Sequence, residues 1–99
     1  MRIAYICPDR GIPLGGVKGA SVHLRSLAGA LARRGHDVVL GCVRVDGPNP
    51  VPPGVRPVEL PEHAPDGWYR EMFEKLRTEA VLERYALGGG AALKAASDL

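Results

Sequence analysis

The hydrophobic period changes twice between Ile3 and Val43, and this restricts the chain to few folds. Ile3-Ala4-Tyr5-Ile6-Cys7 is a continuous apolar run closed by Pro8, the pattern of a strand buried on both faces. Ala20, Leu24, Leu27, Ala28 and Leu31 then recur at i, i+4, i+7, i+8 and i+11, one apolar stripe on a helix. Arg33 and Arg34 suit the negative end of that helix, and Gly35 suits a left-handed terminator. Val38-Val39-Leu40-Gly41-Cys42-Val43 follows Asp37 as a second continuous run. A strand, a helix and a strand in this order predict a right-handed parallel unit.

The remainder extends the same architecture. Gly47 to Gly54 is a proline-rich connection, and Val55-Arg56-Pro57-Val58-Glu59-Leu60 alternates weakly, which predicts a strand over 55–60 within a Pro/Gly-rich region spanning 46–67. Pro57 cannot donate to a ladder, so this strand belongs at the sheet edge, as the third strand of a doubly wound order 3-2-1 does. Tyr69, Met72, Phe73, Leu76 and Ala80 have helical spacing and read as the packed face of a second helix. Ala80 to Tyr85 fits either the last turn of that helix or a fourth strand. Gly88-Gly89-Gly90 breaks the chain again, and Ala91 to Ser97 reads as a short helix. The expected fold is α/β, a partial Rossmann-like parallel sheet of three or four strands in order 3-2-1-4 with flanking helices.

Composition narrows the function classes. The chain has 99 residues, 45% of them hydrophobic and 24% charged, an ordinary globular balance for one small domain. A net charge of +2 is too small to imply nucleic-acid binding. No apolar run approaches the roughly 20 residues of a membrane span, and the first strand leaves no room for a signal peptide, so a cytoplasmic location is expected. Cys7 and Cys42 lack metal-ligand spacing and read as free thiols; no metal site is indicated.

The chemistry concentrates in Gly15-Gly16-Val17-Lys18-Gly19-Ala20-Ser21-Val22-His23, a glycine turn feeding a helix N-terminus. Free N–H groups and the positive end of the helix dipole meet there, which is a seat for phosphate. The alternative is a turn whose glycines merely let the chain reverse tightly. Two standard nucleotide motifs fail on spacing. In a Walker A loop Lys would directly follow the second glycine of Gly11-Ile12-Pro13-Leu14-Gly15-Gly16, but Val17 intervenes, and Gly19 stands where Ser or Thr is needed. A dinucleotide fingerprint needs a tighter loop than the one here, and an acidic residue ending the second strand, where Arg44 precedes Asp46.

Met1-Arg2-Ile3-Ala4-Tyr5-Ile6, the Gly15-Gly16 loop, Gly19-Ala20-Ser21-Val22-His23, Leu27, Leu31 and Arg34-Gly35-His36-Asp37-Val38 together resemble the N-terminus of family-4-type, GT-B-fold glycosyltransferases. Glu83-Arg84-Tyr85-Ala86-Leu87 is similar to a segment that follows a strand in some of these proteins, which favours the strand reading of Ala80 to Glu83. The resemblance is thin between Asp46 and Thr78. It implies retaining transfer of a sugar from a nucleotide-diphosphate sugar to a carbohydrate, lipid or small-molecule acceptor, in a cleft between two Rossmann-like domains, with no tightly bound cofactor. Gly15 and Gly16, with the Val17 N–H and Lys18, are then expected against the donor diphosphate. Asp9 and Arg10, which follow the first strand, His23 in the first helical turn, and Glu83 and Arg84 are candidates for the same cleft. His36 is expected to help end the helix, and His63 has no evident partner.

The same resemblance implies a C-terminal domain carrying an E-x7-E pair and most donor contacts, which these 99 residues do not contain. The chain is accordingly expected to be an incomplete N-terminal domain, inactive alone, with its catalytic residues elsewhere. The passage from Leu76 to Val81 is shorter than the family pattern leads one to expect. Two rival readings remain: a standalone α/β module that binds a phosphorylated ligand or a protein partner, and a truncated reading frame without function, whose exposed sheet edge invites self-association.

Overall fold

The computed structural model describes residues 1–84 and 89–97. The elements are β1 (Arg2–Cys7), α1 (Gly19–Arg33), β2 (Asp37–Cys42), β3 (Val55–Glu59), α2 (Asp66–Leu76), β4 (Ala80–Glu83) and α3 (Ala91–Ser97). All four strands run parallel in the order β3-β2-β1-β4. The architecture is therefore Rossmann-like α/β in the order read from the sequence.

Alternation along β1 splits the interior in two. Tyr5 and Cys7 join Val38, Leu40 and Cys42 of β2 and Leu24 and Ala28 of α1 in one cluster. Ala4 and Ile6 face the other way, into a cluster with Tyr69 and Phe73 of α2 and Ala92 and Ala95 of α3. Both faces of β1 are thus dry, which is why its sequence is continuously apolar. Gly41 of β2 lies on the second face, where an added Cβ would stand 2.9 Å from Leu60 Cδ2 and 3.1 Å from Ile6 Cδ1.

β3 occupies one edge, with Pro57 opposite Leu40. An edge strand is bonded on one side only, so it accommodates a residue with no N–H. β3 ends at Glu59, one residue short of the expected span, and Leu60 turns into the core while its N–H still donates to the Cys42 carbonyl at 2.8 Å. The β2–β3 connection carries no helix. Instead Val51 packs against the α1-side cluster, and Pro52 lies where a Cβ on Gly29 would meet it at 3.2 Å.

Residues 80–83 form β4 and not helix, so Ala80 does not continue the α2 stripe. The helix stops because Arg77 adopts a left-handed conformation, φ +52°, with its N–H on the Glu74 carbonyl and the Thr78 N–H on the Phe73 carbonyl. Glu79 then donates to the Arg2 carbonyl at 2.8 Å, which starts the ladder on β1. Tyr85, Ala86, Leu87 and Gly88, which include the end of the Glu83-to-Leu87 segment and part of the glycine triplet, lie outside the described residues.

α1 ends as its sequence requires. Gly35 has φ +91°, its N–H donates to the Ala32 carbonyl at 3.0 Å, and the His36 N–H donates to Leu31 at 3.3 Å. This paired arrangement satisfies two carbonyls of the last turn. Gly19, at the other end, has ordinary backbone angles and open space around its Cβ position. The same substitution should therefore have opposite signs at the two ends. Gly35→Ala is expected to destabilise by about 1 kcal/mol and Gly19→Ala to stabilise by about 0.4–1 kcal/mol, both read from urea unfolding.

Tyr69 is 2% exposed, and its hydroxyl is pushed up to about 12, first by burial and then by the negative field of Glu83. The folded state therefore holds this proton more tightly than the unfolded chain, whose tyrosine titrates near 10. Its stabilising contribution is complete below pH of about 10 and is lost as pH rises toward about 12. Unfolding titrations across that window should show a shallower loss of stability in Tyr69→Phe than in the parent chain.

Candidate functional site

The loop after β1 is built on its own hydrogen bonds before any ligand is considered. Asp9 Oδ1 accepts the Gly11 N–H at 2.8 Å, and the Asp9 carbonyl accepts Ile12 at 3.1 Å. The Pro13 carbonyl accepts the Gly16 N–H at 3.1 Å and the Ser21 hydroxyl at 2.6 Å. Ser21 is buried at the start of α1, so this bond ties the helix to the loop that feeds it.

The loop after β2 then interlocks with it. Leu14 donates to the Arg44 carbonyl at 2.9 Å, Gly15 to the Asp46 carbonyl at 3.1 Å, and Asn49 returns a bond to the Gly15 carbonyl at 3.1 Å. The Asn49 amide Nδ2 also reaches the Gly15 and Gly16 carbonyls, at 3.3 and 3.2 Å. From α1, Arg25 Nη1 donates to Leu14 and Gly16 carbonyls at 2.8 and 2.7 Å. Arg25, Asp46, Gly47 and Asn49 were not among the residues expected here. Asn49 and Gly47 lie more than 30 residues away in sequence, and no local pattern marks them.

This packing explains both glycines. A Cβ on Gly15 would stand 2.9 Å from the carbonyl oxygens of Asp46, Gly47 and Asn49. One on Gly16 would stand 2.6 Å from Ser21 Oγ and 2.9 Å from Pro13 Cγ. One on Gly47, whose φ is +125°, would overlap the Gly15 carbonyl. Gly15 is thus required by the close approach of a second backbone and Gly16 by the Ser21 and Pro13 side chains, and their own N–H groups are engaged within the protein.

The open donors lie immediately beyond. Among the described residues, the N–H groups of Val17, Lys18, Gly19, Ala20 and Ser21 have no acceptor, and the first helical bond runs from Val22 to the Lys18 carbonyl at 3.1 Å. Lys18 is the N-cap, makes no side-chain capping bond, and no acidic residue occupies the first turn. Val17 is 70% exposed, and Lys18 and His23 are exposed. This is a solvent-facing positive pole with unsatisfied donors.

The other candidates have partners of their own. Arg10 Nη1 pairs with Glu62 Oε1 at 2.8 Å, beside a shallow groove of about 280 Å³ lined by Val43, Arg44, Glu59 and Leu60 as well. Arg44 binds Asp46 at 2.6 Å and 3.1 Å, which holds the Asp46 carboxyl below its usual range. Glu83 receives the Gly90 N–H at 2.6 Å and the Leu93 N–H at 3.0 Å, so it caps α3. Arg84 donates its backbone N–H to the Ile6 carbonyl at 2.8 Å and sets its guanidinium against the Tyr5 hydroxyl, whose pKa burial nevertheless raises. At the opposite end of the sheet, His36 Nδ1 lies 3.2 Å from the terminal amine. His63 is exposed in a left-handed turn, φ +53°. No cluster of three or more potential metal ligands occurs among the described residues, and none of their helices is long and apolar enough to cross a membrane.

Comparison with protein-family models, with curated proteins and with solved structures finds no match. The glycosyltransferase resemblance therefore rests on the sequence motifs alone.

If backbone crowding is the reason for these glycines, Gly15→Ala and Gly47→Ala should each cost about 1–3 kcal/mol in urea unfolding. Gly67→Ala, in a position with nothing near its Cβ, should leave the midpoint unchanged or raise it.

Proposed function

We propose that this chain supplies the diphosphate-facing wall of a nucleotide-sugar-dependent glycosyltransferase, as part of its N-terminal domain. The observation that carries the reading is the uncapped start of α1, where N–H groups from Val17 to Ala20 and the Lys18 charge stand open at the carboxyl edge of a parallel sheet. Open α/β sheets take their ligands at that edge. Val17, Lys18 and Gly19 would receive the diphosphate oxygens, while Gly15 and Gly16 hold the loop in shape beneath them. Neutralising a departing diphosphate is the chemical task such donors perform. Sugar transfer itself would need a second domain to close the cleft and hold the nucleotide, with a carbohydrate, lipid or small-molecule acceptor on the near side. A cytoplasmic setting agrees with two free buried thiols. Further strands of such a domain, or a second copy of the chain, would add at the free edge of β4, where Leu82 is 40% exposed.

The self-sufficient loop also favours a second reading, a small module that binds a phosphorylated ligand without a second domain. Affinity separates the two. A few charge-assisted N–H bonds support binding of about millimolar strength. Amide spectra of the chain titrated with uridine diphosphate should shift at Val17 to Ser21, and Lys18→Glu should weaken binding by several-fold without altering the fold. Micromolar binding would favour the module, and shifts confined to other residues would overturn both readings.

A further inference from the structure

Cys7 and Cys42 end β1 and β2, and the parallel register sets them directly opposite each other. Both belong to the cluster on the α1 face, and both are 0% exposed. Neighbouring strands lie about 4.8 Å apart, inside the roughly 4.4–6.8 Å between Cα atoms that a disulfide spans. The thiols are free and face each other across the β1–β2 ladder. The neighbouring Cys42 thiol, the Asp9 backbone N–H and the Arg84 charge favour the Cys7 thiolate, while burial and the Asp9 carboxylate charge oppose it. Cys42 is pushed up by the neighbouring Cys7 thiol and by burial. Cys7 stands at the strand end that leads directly into the glycine loop, so opening of that loop uncovers its sulfur first and makes it the attacking thiol, with Cys42 opposite it as the resolving thiol.

We propose that Cys7 and Cys42 form a redox pair that a hydroperoxide converts into an intramolecular disulfide, fastening together the two strand ends from which the interlocked loops spring. The Cys7 sulfur attacks the terminal peroxide oxygen, the O–O bond breaks, and an alcohol leaves with one proton, or water where the oxidant is hydrogen peroxide. Cys42 then attacks the sulfenic sulfur of Cys7 and displaces water. Two thiols are oxidised by two electrons in total, and one peroxide is reduced. Because neither sulfur is accessible, the first step waits on local opening of the loop after β1, and the pair reacts more slowly than exposed thiols.

The consequence bears on the loops above. Pro8 follows Cys7 into the glycine loop, and Val43 follows Cys42 into the segment that receives Leu14 and Gly15. A covalent link beneath both would restrict their separation, so hydrogen exchange at the Gly15 and Asn49 amides should slow in the oxidised protein. Nothing in this proposal depends on the ligand reading of the loop.

The test treats the folded chain with hydrogen peroxide, alkylates remaining thiols and digests with trypsin. The expected product joins the peptides Ile3–Arg10 and Gly35–Arg44, lighter by the two hydrogens lost and restored by a dithiol reductant. In Cys42→Ala the sulfenic acid of Cys7 should persist and be captured by a cyclic dione, while Cys7→Ala should leave Cys42 unlabelled. Recovery of both wild-type peptides in alkylated form would overturn the proposal. So would cross-links that join isotopically distinct chains in a mixed sample, or capture at Cys42 in preference to Cys7.

Discussion

β1 is bonded along both edges and packed on both faces, and the other elements take their places from it. Its register with β2 and with β4 fixes where each of those strands begins and ends. Its alternation assigns α1 to one side and α2 with α3 to the other. A strand with no solvent-facing side leaves no place for a charged residue between Ile3 and Cys7, and the one hydroxyl there, on Tyr5, meets Arg84. Burial on both faces also pushes all of its chemistry to its ends. The first residues of this part of the chain able to meet a ligand are those after Cys7, in the loop and not in the strand.

That loop is crossed by many hydrogen bonds of its own. It is braced by the segment after β2, by Ser21 at its far end and by the Arg25 guanidinium across its carbonyls. A loop already held in one conformation loses little freedom when an anion arrives, which favours binding. The same bracing consumes the two glycine N–H groups that a looser loop would have offered. For the proposed anion, preorganisation and donor number would therefore work against each other, with donors supplied only from Val17 onward.

Much of the fold was legible because its signals are local. The period changes at Pro8, Ala20 and Asp37 mark the first three elements, Gly35 marks the end of α1, and Pro57 marks an edge strand. The end of α2 was not legible, since Ala80 continues the helical spacing and the stop lies in the left-handed turn of Arg77, a residue with no sequence signature for it. The site was legible only as a chain segment. Gly15 and Gly16 invite a phosphate reading because they precede a helix, yet Gly15 is crowded by the 46–49 segment, brought there by the parallel pairing of β1 and β2, and Gly16 by Pro13 and Ser21. Glu83 was read as a possible cleft residue, and its carboxylate accepts the N–H groups of Gly90 and Leu93 at the start of α3, a contact between elements that no spacing rule encodes. The adjacency of Cys7 and Cys42 is likewise a property of register, invisible until the strands are paired.

The start of α1 departs from the consistency found elsewhere. Its far end has a full complement of terminal bonds and a basic residue in the last turn, as helix electrostatics prefer. Its near end has Lys18 at the N-cap, where Ser, Thr, Asp or Asn would be favoured by about 1 kcal/mol, and a positive side chain beside a positive dipole end. Ser21 could not correct this, because its hydroxyl is directed to the Pro13 carbonyl. α2 also begins without a side-chain cap, at Pro65, but has Asp66 in its first turn, whereas the first turn of α1 has no acidic residue. An anion resting on Val17 to Ser21 would supply both the missing acceptors and the missing negative charge.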